Sequence, residues 1–364
     1  MRNTIENSGW RQEPVLNIQQ RKIRSEETVM DPKMCASKAA DVAVGIIHIL
    51  SQNYGTHNLA SNIAPLEESI RSGQIKAFLK IDQNLSPVAC AALVKINDEE
   101  VELGRAACVK GANGGNGQLM VEAFNQWEEG KLFPESKILR AEVRTAKSTK
   151  EVPGGQATQA ICLRKIGFVP TAMAPMFHHG IPDRQEIFLL ASILRDKNMI
   201  DLQKKIPSSI GDDLEKESFN IFWKKFFGEE AKFVETEKGE IKSNFEAKVL
   251  GPFVELRETR GRSRAEEVVN PFFEEGGRFA LARVSLERPT EVVAAQSVEL
   301  KKMGFRLAGF EPVIRNGEIS IDILFGKLSK EGKEVMVLPS FTEGVFSHRE
   351  EEILIQNSIQ WRQN

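Results

Sequence analysis

The stretch Val101–Trp127, VELGRAACVKGANGGNGQLMVEAFNQW, changes its pattern twice. Leu103 to Val109 is an apolar run, Gly111 to Gly117 carries glycines at 111, 114, 115 and 117, and apolar residues then recur at helical spacing at Met120, Val121, Phe124 and Trp127. The reading is strand, loop, helix. Glycine permits positive φ and close approach to the backbone, and the first turn of a helix leaves N–H groups unpaired with partial positive charge. Together these make a phosphate cradle. It is assigned to Cys108, Val109, Gly111, Asn113, Gly114, Gly115, Asn116 and Gly117.

Upstream, Ala36 to Gln52 sets Ala40, Val42, Ile46, Ile47 and Leu50 near one face of an amphipathic helix. PLEESIRS (Pro65–Ser72) reads as a second helix, ended by Gly73. IKAFLKID and VACAALVKI flank a turn at Asn84 to Pro87 and read as two strands, with Val101–Val109 as the third. Downstream come a strand at Ile138–Thr145, a helix at Gly154–Ile166, and strands at Val169–Met176 and Ile187–Leu194. The polar segment FHHGIPDRQE between the last two holds His178 and His179 but no third ligand at fixed spacing, so no metal is expected.

This order resembles the GNAT family of N-acetyltransferases, whose central strand ends in a loop Arg/Gln-x-x-Gly-x-Gly/Ala that opens a helix and holds the acyl-CoA pyrophosphate. The window here is Ala112-Asn113-Gly114-Gly115-Asn116-Gly117, with both glycines kept and Ala112 in place of the usual Arg or Gln. The family's helix ending in Gly-Phe before a strand is matched by QAICLRKIGF, Gln159–Phe168. The resemblance implies an α/β (α+β) fold of mixed, mostly antiparallel sheets flanked by helices. It also implies direct transfer of an acyl group, acetyl or longer, from acyl-CoA to an amine of a small molecule or peptide side chain. Such transfer needs a base near the amine and a donor for the oxyanion. Glu102 and Glu142, on adjacent expected strands, are the carboxylate candidates, with His178 as a third. Where many members carry a Tyr acid, four residues before the Gly of Gly-Phe, this chain has Leu163; its only tyrosine is Tyr54.

The second half echoes the first. QAICLRKIGF aligns without gaps to QSVELKKMGF, Gln296–Phe305, with five identities. In each half a strand containing Ala-x-Val precedes, at Ala141 and Ala282, and a terminal apolar strand follows, IFLLASIL and ISIDILFGKL. Three matching elements in one order predict two tandem GNAT-like domains. The expected boundaries are a polar extension at 1–35, an acyl-CoA-binding domain at 36–196, a linker at 197–215, a second, degenerate domain at 216–345 and a tail at 346–364, each domain with a core of its own. In the second domain Phe253–Glu258 is the expected central strand. Arg260-Gly261-Arg262-Ser263-Arg264-Ala265 takes the place of its loop.

The chain has 364 residues, with 49 basic against 51 acidic and 41% hydrophobic. The net charge of −2 offers no general attraction to nucleic acid or an anionic membrane, so neither is an expected partner. Cys35, Cys90, Cys108 and Cys162 are widely spaced without a CxxC pair, and no apolar segment approaches membrane-spanning length, so a reduced, soluble, cytoplasmic protein is expected. The oligomeric state is not readable. Two other classes remain open: an aminoacyl-tRNA-dependent transferase of the Fem type, which also pairs two such domains, and a non-catalytic binding protein of degenerate domains.

Overall fold

The computed structural model describes residues 28–54, 63–109, 114–147, 155–177, 185–196, 205–236, 245–250, 253–258 and 265–363. The chain opens with a short strand β1 (Thr28–Met30) and helices α1 (Pro32–Ser37), α2 (Ala39–Tyr54) and α3 (Ile63–Arg71). Asp31 starts α1, its carboxylate accepting from the Met34 N–H at 2.8 Å, and Pro32 follows where no N–H is needed. Ala40 is exposed and Ala39 takes the buried place expected for it. These helices cover one face of β2 (Ile75–Ile81), β3 (Pro87–Lys95) and β4 (Glu100–Cys108), a meander whose inward side chains form a core with Ile46, Ile49 and Ile70.

Helix α4 (Asn116–Glu128) lies on the opposite face and buries Leu119, Met120, Ala123 and Trp127. Then come β5 (Ile138–Arg144), one α-helical turn α5 (Gln156–Gln159) that widens into a π-helix over Ala160–Ile166, β6 (Val169–Phe177) and β7 (Gln185–Leu194). Gly167, at φ 95°, ends the π-helix.

The second half begins inside the expected linker: β8 is Ile206–Pro207, and α6 (Asp213–Phe227) starts at a capping box of Asp212 and Glu215. After β9 (Phe233–Val234) come β10 (Phe245–Leu250), β11 (Phe253–Glu258), α7 (Ala265–Glu274), β12 (Phe279–Ser285), α8 (Thr290–Lys302), β13 (Arg306–Arg315) and β14 (Glu318–Leu328). Short α9 (Lys330–Glu334) and β15 (Met336–Val337) lead to α10 (His348–Gln363), a packed helix where the sequence reading has a tail. Trp361 of α10 meets Phe279, and Leu354 is fully buried.

One mixed, mostly antiparallel sheet runs through the molecule in the order β1-β2-β3-β4-β5-β7-β6-β13-β14-β12-β11-β10. The pairing repeats itself in reverse. β3 with β4 is antiparallel, β4 with β5 parallel, and β5-β7-β6 antiparallel. β10 with β11, β11 with β12, and β12-β14-β13 follow the same scheme. The halves meet where β6 runs antiparallel to β13. Helix α6 lies over this seam and packs Phe219 and Trp223 on Phe310 of β13. The expectation of separate cores fails here, because one hydrophobic cluster runs unbroken from Phe78 of the first half to Trp361 of the second.

Candidate active site

Strand β4 carries the site in linear order. Its parallel pairing with β5 covers only Glu100↔Ile138, Val101↔Leu139 and Glu102↔Arg140. Just beyond, the register against β3 slips between Ala92↔Gly104 and Cys90↔Ala107, and Arg105 in the bulge takes φ 52°. A bulge adds a residue and bends the strand, so β4 turns away from β5 and a wedge opens between them. In the second half, β11 and β12 stay paired two steps further, through Leu256↔Ala282 to Arg257↔Arg283, and β10 with β11 has no slip. The wedge belongs to the first half.

At the end of β4, the Cys108 carbonyl accepts from Asn53 Nδ2 at 2.7 Å and the Val109 N–H donates to Val88 at 3.0 Å. Gly114 (φ 82°) and Gly115 (φ 125°) then turn the chain into α4, which has no side-chain cap, so the Asn116 and Gly117 end of the helix keeps its N–H groups for a ligand. A Cβ on Gly117 would come within 2.5 Å of Ile161 on the π-helix. Gly111, Asn113 and His178 lie outside the described residues, as do Ala112, His179 and Arg260 to Arg264.

Lys80 was not anticipated. It is 8% exposed on β2, and a Cβ on Gly115 would stand 3.4 Å from its Nζ, so an ammonium lies beside the uncapped helix end. Its place as a lysine in the apolar run IKAFLKI was the available signal. Arg105 was missed too; its Nε is buried without a hydrogen-bond partner, next to the wedge.

Glu102 and Glu142 lie on the neighbouring strands β4 and β5, close enough for the Glu102 charge to act on Glu142. Part of the Glu142 side chain reaches solvent, yet the protein crowded around it, then the Glu102 and Glu311 carboxylates, push its pKa up to about 8 against the pull of Arg283. Burial likewise raises Glu102, against Arg105 and Arg140. A carboxylate whose conjugate acid titrates near neutral pH is basic enough to take a proton from an ammonium group. The thiols are not poised in this way: burial pushes Cys162 up to about 12 and raises Cys108, which removes the thiolate a nucleophile needs.

The second half reaches into this site. Arg140 bridges Glu100 at 2.7 Å and Glu311 of β13 at 2.9 Å, and donates to the Pro312 carbonyl at 3.0 Å. Arg283 of β12 pairs with both Glu255 and Glu311. Burial alone would raise Glu311, but Arg140 and Arg283 outweigh it and hold it below the usual carboxylate range. Glu255 is the counterpart of Glu102, within Val254-Glu255-Leu256 matching Val101-Glu102-Leu103, a repeat visible in the sequence. Behind the first half's helix, the segment after β15 forms a strap: the Ser340 N–H donates to Thr145 at 2.9 Å, and Gln159 donates to the Ser340 carbonyl while accepting from the Thr342 N–H.

Among solved structures, a spermidine N-acetyltransferase from Vibrio cholerae is similar at 14% identity, over 48% of this chain and 97% of that one, with a TM-score of 0.32. An aminoglycoside 6'-N-acetyltransferase complexed with coenzyme A is similar at 10% identity, over 43% of this chain and 92% of that one, TM-score 0.32. An aminoglycoside 6'-acetyltransferase type Ii is similar at 11% identity over 47% and 97%, TM-score 0.32. No family model and no curated protein matches the chain. Among the described residues no helix is long and apolar enough to cross a membrane, and no group of His, Cys, Asp and Glu could hold a metal ion.

Proposed function

We propose that this chain is a GNAT-type N-acyltransferase of two tandem domains, at 36–196 and 216–345, that moves an acyl group from acyl-CoA to an amine. The observation that carries the reading is the wedge: β4 and β5 part immediately after Glu102↔Arg140, at a bulge, while the equivalent strands of the second half remain paired. An acyl-pantetheine arm fits between parted strands, because the backbone groups they no longer offer each other can pair with its amides. At the mouth of the wedge the N–H groups of Gly115, Asn116 and Gly117 meet the pyrophosphate. Lys80 supplies the cation that Ala112 does not.

In the transfer, the Glu142 carboxylate takes a proton from the acceptor ammonium, with Glu102 beside it keeping its pKa high. The neutral amine nitrogen then attacks the thioester carbonyl; the N–C bond forms, the nitrogen gives its second proton to solvent, the C–S bond breaks, and the CoA thiolate leaves to be protonated from solvent, since Leu163 offers no proton. Arg105, with a buried unpartnered Nε, is placed to donate to an oxygen of the donor. The second half shapes the acceptor side and binds no CoA. The test is amine-dependent release of free thiol from acetyl-CoA, compared with propionyl- and longer acyl-CoA. The reading requires release that Glu142→Gln reduces about 100-fold or more; release unaffected by Glu142→Gln removes its role.

A further inference from the structure

A cavity of about 630 Å³ lies at the other end of β4 from the glycine turn, walled by both halves of the molecule. Five arginines line it, Arg140, Arg257, Arg283, Arg288 and Arg315. Three carboxylates line it as well, Glu100, Glu287 and Asp322: Asp322 is 2% exposed and accepts from Arg315 Nη2 with both oxygens at 2.6 and 2.7 Å, Glu100 pairs with Arg140 at 2.7 Å, and behind them Glu255 and Glu311, each 6% exposed, are taken up by Arg283, Arg257 and Arg140. The five arginines outnumber the three lining carboxylates, so positive charge is left over for a ligand. Arg257 shows this most clearly. Its side chain is 66% exposed, and it gives only Nη2 to Glu255, leaving Nε and Nη1 for a ligand.

The cavity and the carboxylate pair are contiguous. Glu100 and Glu102 are two apart on β4, Arg140 and Glu142 two apart on β5, and side chains two apart share a face of a strand. Arg283 lines the cavity and also acts on Glu142. Along one strand the order is therefore guanidinium donors, carboxylate pair, wedge, glycine turn.

Resting on the donor reading above, we infer that the acceptor is a zwitterion: a small amine that also carries a carboxylate, its amine at Glu142 and its carboxylate in the arginine-lined cavity. Guanidinium forks match a carboxylate in shape as well as charge. A polycation such as a polyamine meets the wrong sign at this end.

The test uses the full-length chain with acetyl-CoA and matched acceptors, glycine, β-alanine, 6-aminohexanoate and glycylglycine against their carboxamides, with spermidine as the polycation. CoA binding is measured separately by calorimetry. The expected result is that at least one carboxylate acceptor exceeds its carboxamide in kcat/KM by about tenfold or more, the worth of a charge-assisted hydrogen bond. Arg257→Ala should raise KM for that acceptor by a similar factor, leave its kcat within about twofold and leave the carboxamide unaffected, with Arg257→Lys recovering part of the loss. If CoA binds but carboxamides or spermidine are acetylated as well as the carboxylates, or no carboxylate acceptor reacts, the inference is overturned while the donor reading stands. Absence of CoA binding would remove both.

Discussion

Ala172 of β6 and Gly309 of β13 face each other as the pair that joins the two halves into one sheet. They are also the same position of the repeated unit: each stands five residues after the glycine of Gly-Phe, at Gly167 and Gly304, and each follows a register slip in its own hairpin, Pro170/Ala172 and Leu307/Gly309. Antiparallel pairing of equivalent residues is what a local two-fold axis produces. The seam therefore relates one half to the other inside a single chain.

Gly309 is fixed by this arrangement. Its φ is 140°, and an added Cβ would lie 2.6 Å from the Ala172 Cα and against the Thr171 carbonyl. Gly309→Ala should lower unfolding free energy by about 2–5 kcal/mol, combining backbone strain with overpacking at the seam. Gly276, at φ 93° with open space around it, provides the comparison; Gly276→Ala should cost only about 1–2 kcal/mol. Denaturant unfolding of both variants reads the difference, and equal losses would mean that the seam tolerates a side chain.

Lys80 should act through charge on the donor. Lys80→Met keeps most of the buried stem while removing the ammonium beside Gly115. Affinity for CoA should fall about tenfold or more, the effect of one charge-assisted contact to phosphate, and affinity for pantetheine, which lacks the diphosphate, should stay within about twofold. Calorimetry with both ligands separates the two; an equal loss for pantetheine would place Lys80 elsewhere in the site.

Much of this was legible in the sequence because it is local. The glycines of Gly114 to Gly117, the helical period of Met120 to Trp127, and the two Gly-Phe helices each declare themselves within a short window. The seam did not, since a strand's period of two tells which face is buried and not which strand lies alongside. The Arg140–Glu311 and Arg283–Glu255 pairs join residues far apart in the chain, and each alone reads as a solvated charge on a strand. The expected linker at 197–215 takes in β8 and the start of α6 because the charged first turns of that helix, Asp213 to Ser218, give little apolar period before Phe219.

The pH dependence follows from Glu142. Its folded pKa of about 8 lies above the ordinary 4.5. The folded chain therefore holds a proton that the unfolded chain releases, and this group's contribution is fully present below about pH 4.5 and lost as pH rises through about 8. Glu142→Gln should flatten that descent, so that the variant gains on the wild type as pH rises, seen in thermal unfolding from pH 5 to 9. In turnover the same titration makes kcat/KM of the wild type climb with pH to a plateau above about 8. A profile already flat at pH 6, with no change in the stability curve of Glu142→Gln, would show an ordinary carboxylate.

The claim that one half alone holds the donor is tested most directly by titrating acetyl-CoA into the full-length chain in a calorimeter. One site per chain is expected, abolished by Gly117→Val, whose Cβ would meet Ile161 at the helix end, and kept within a few-fold when Arg260 and Arg262 of the second half are both replaced by alanine. Two sites per chain, or binding that survives Gly117→Val and is lost with the arginine pair, would contradict the account and move the donor site to the second half.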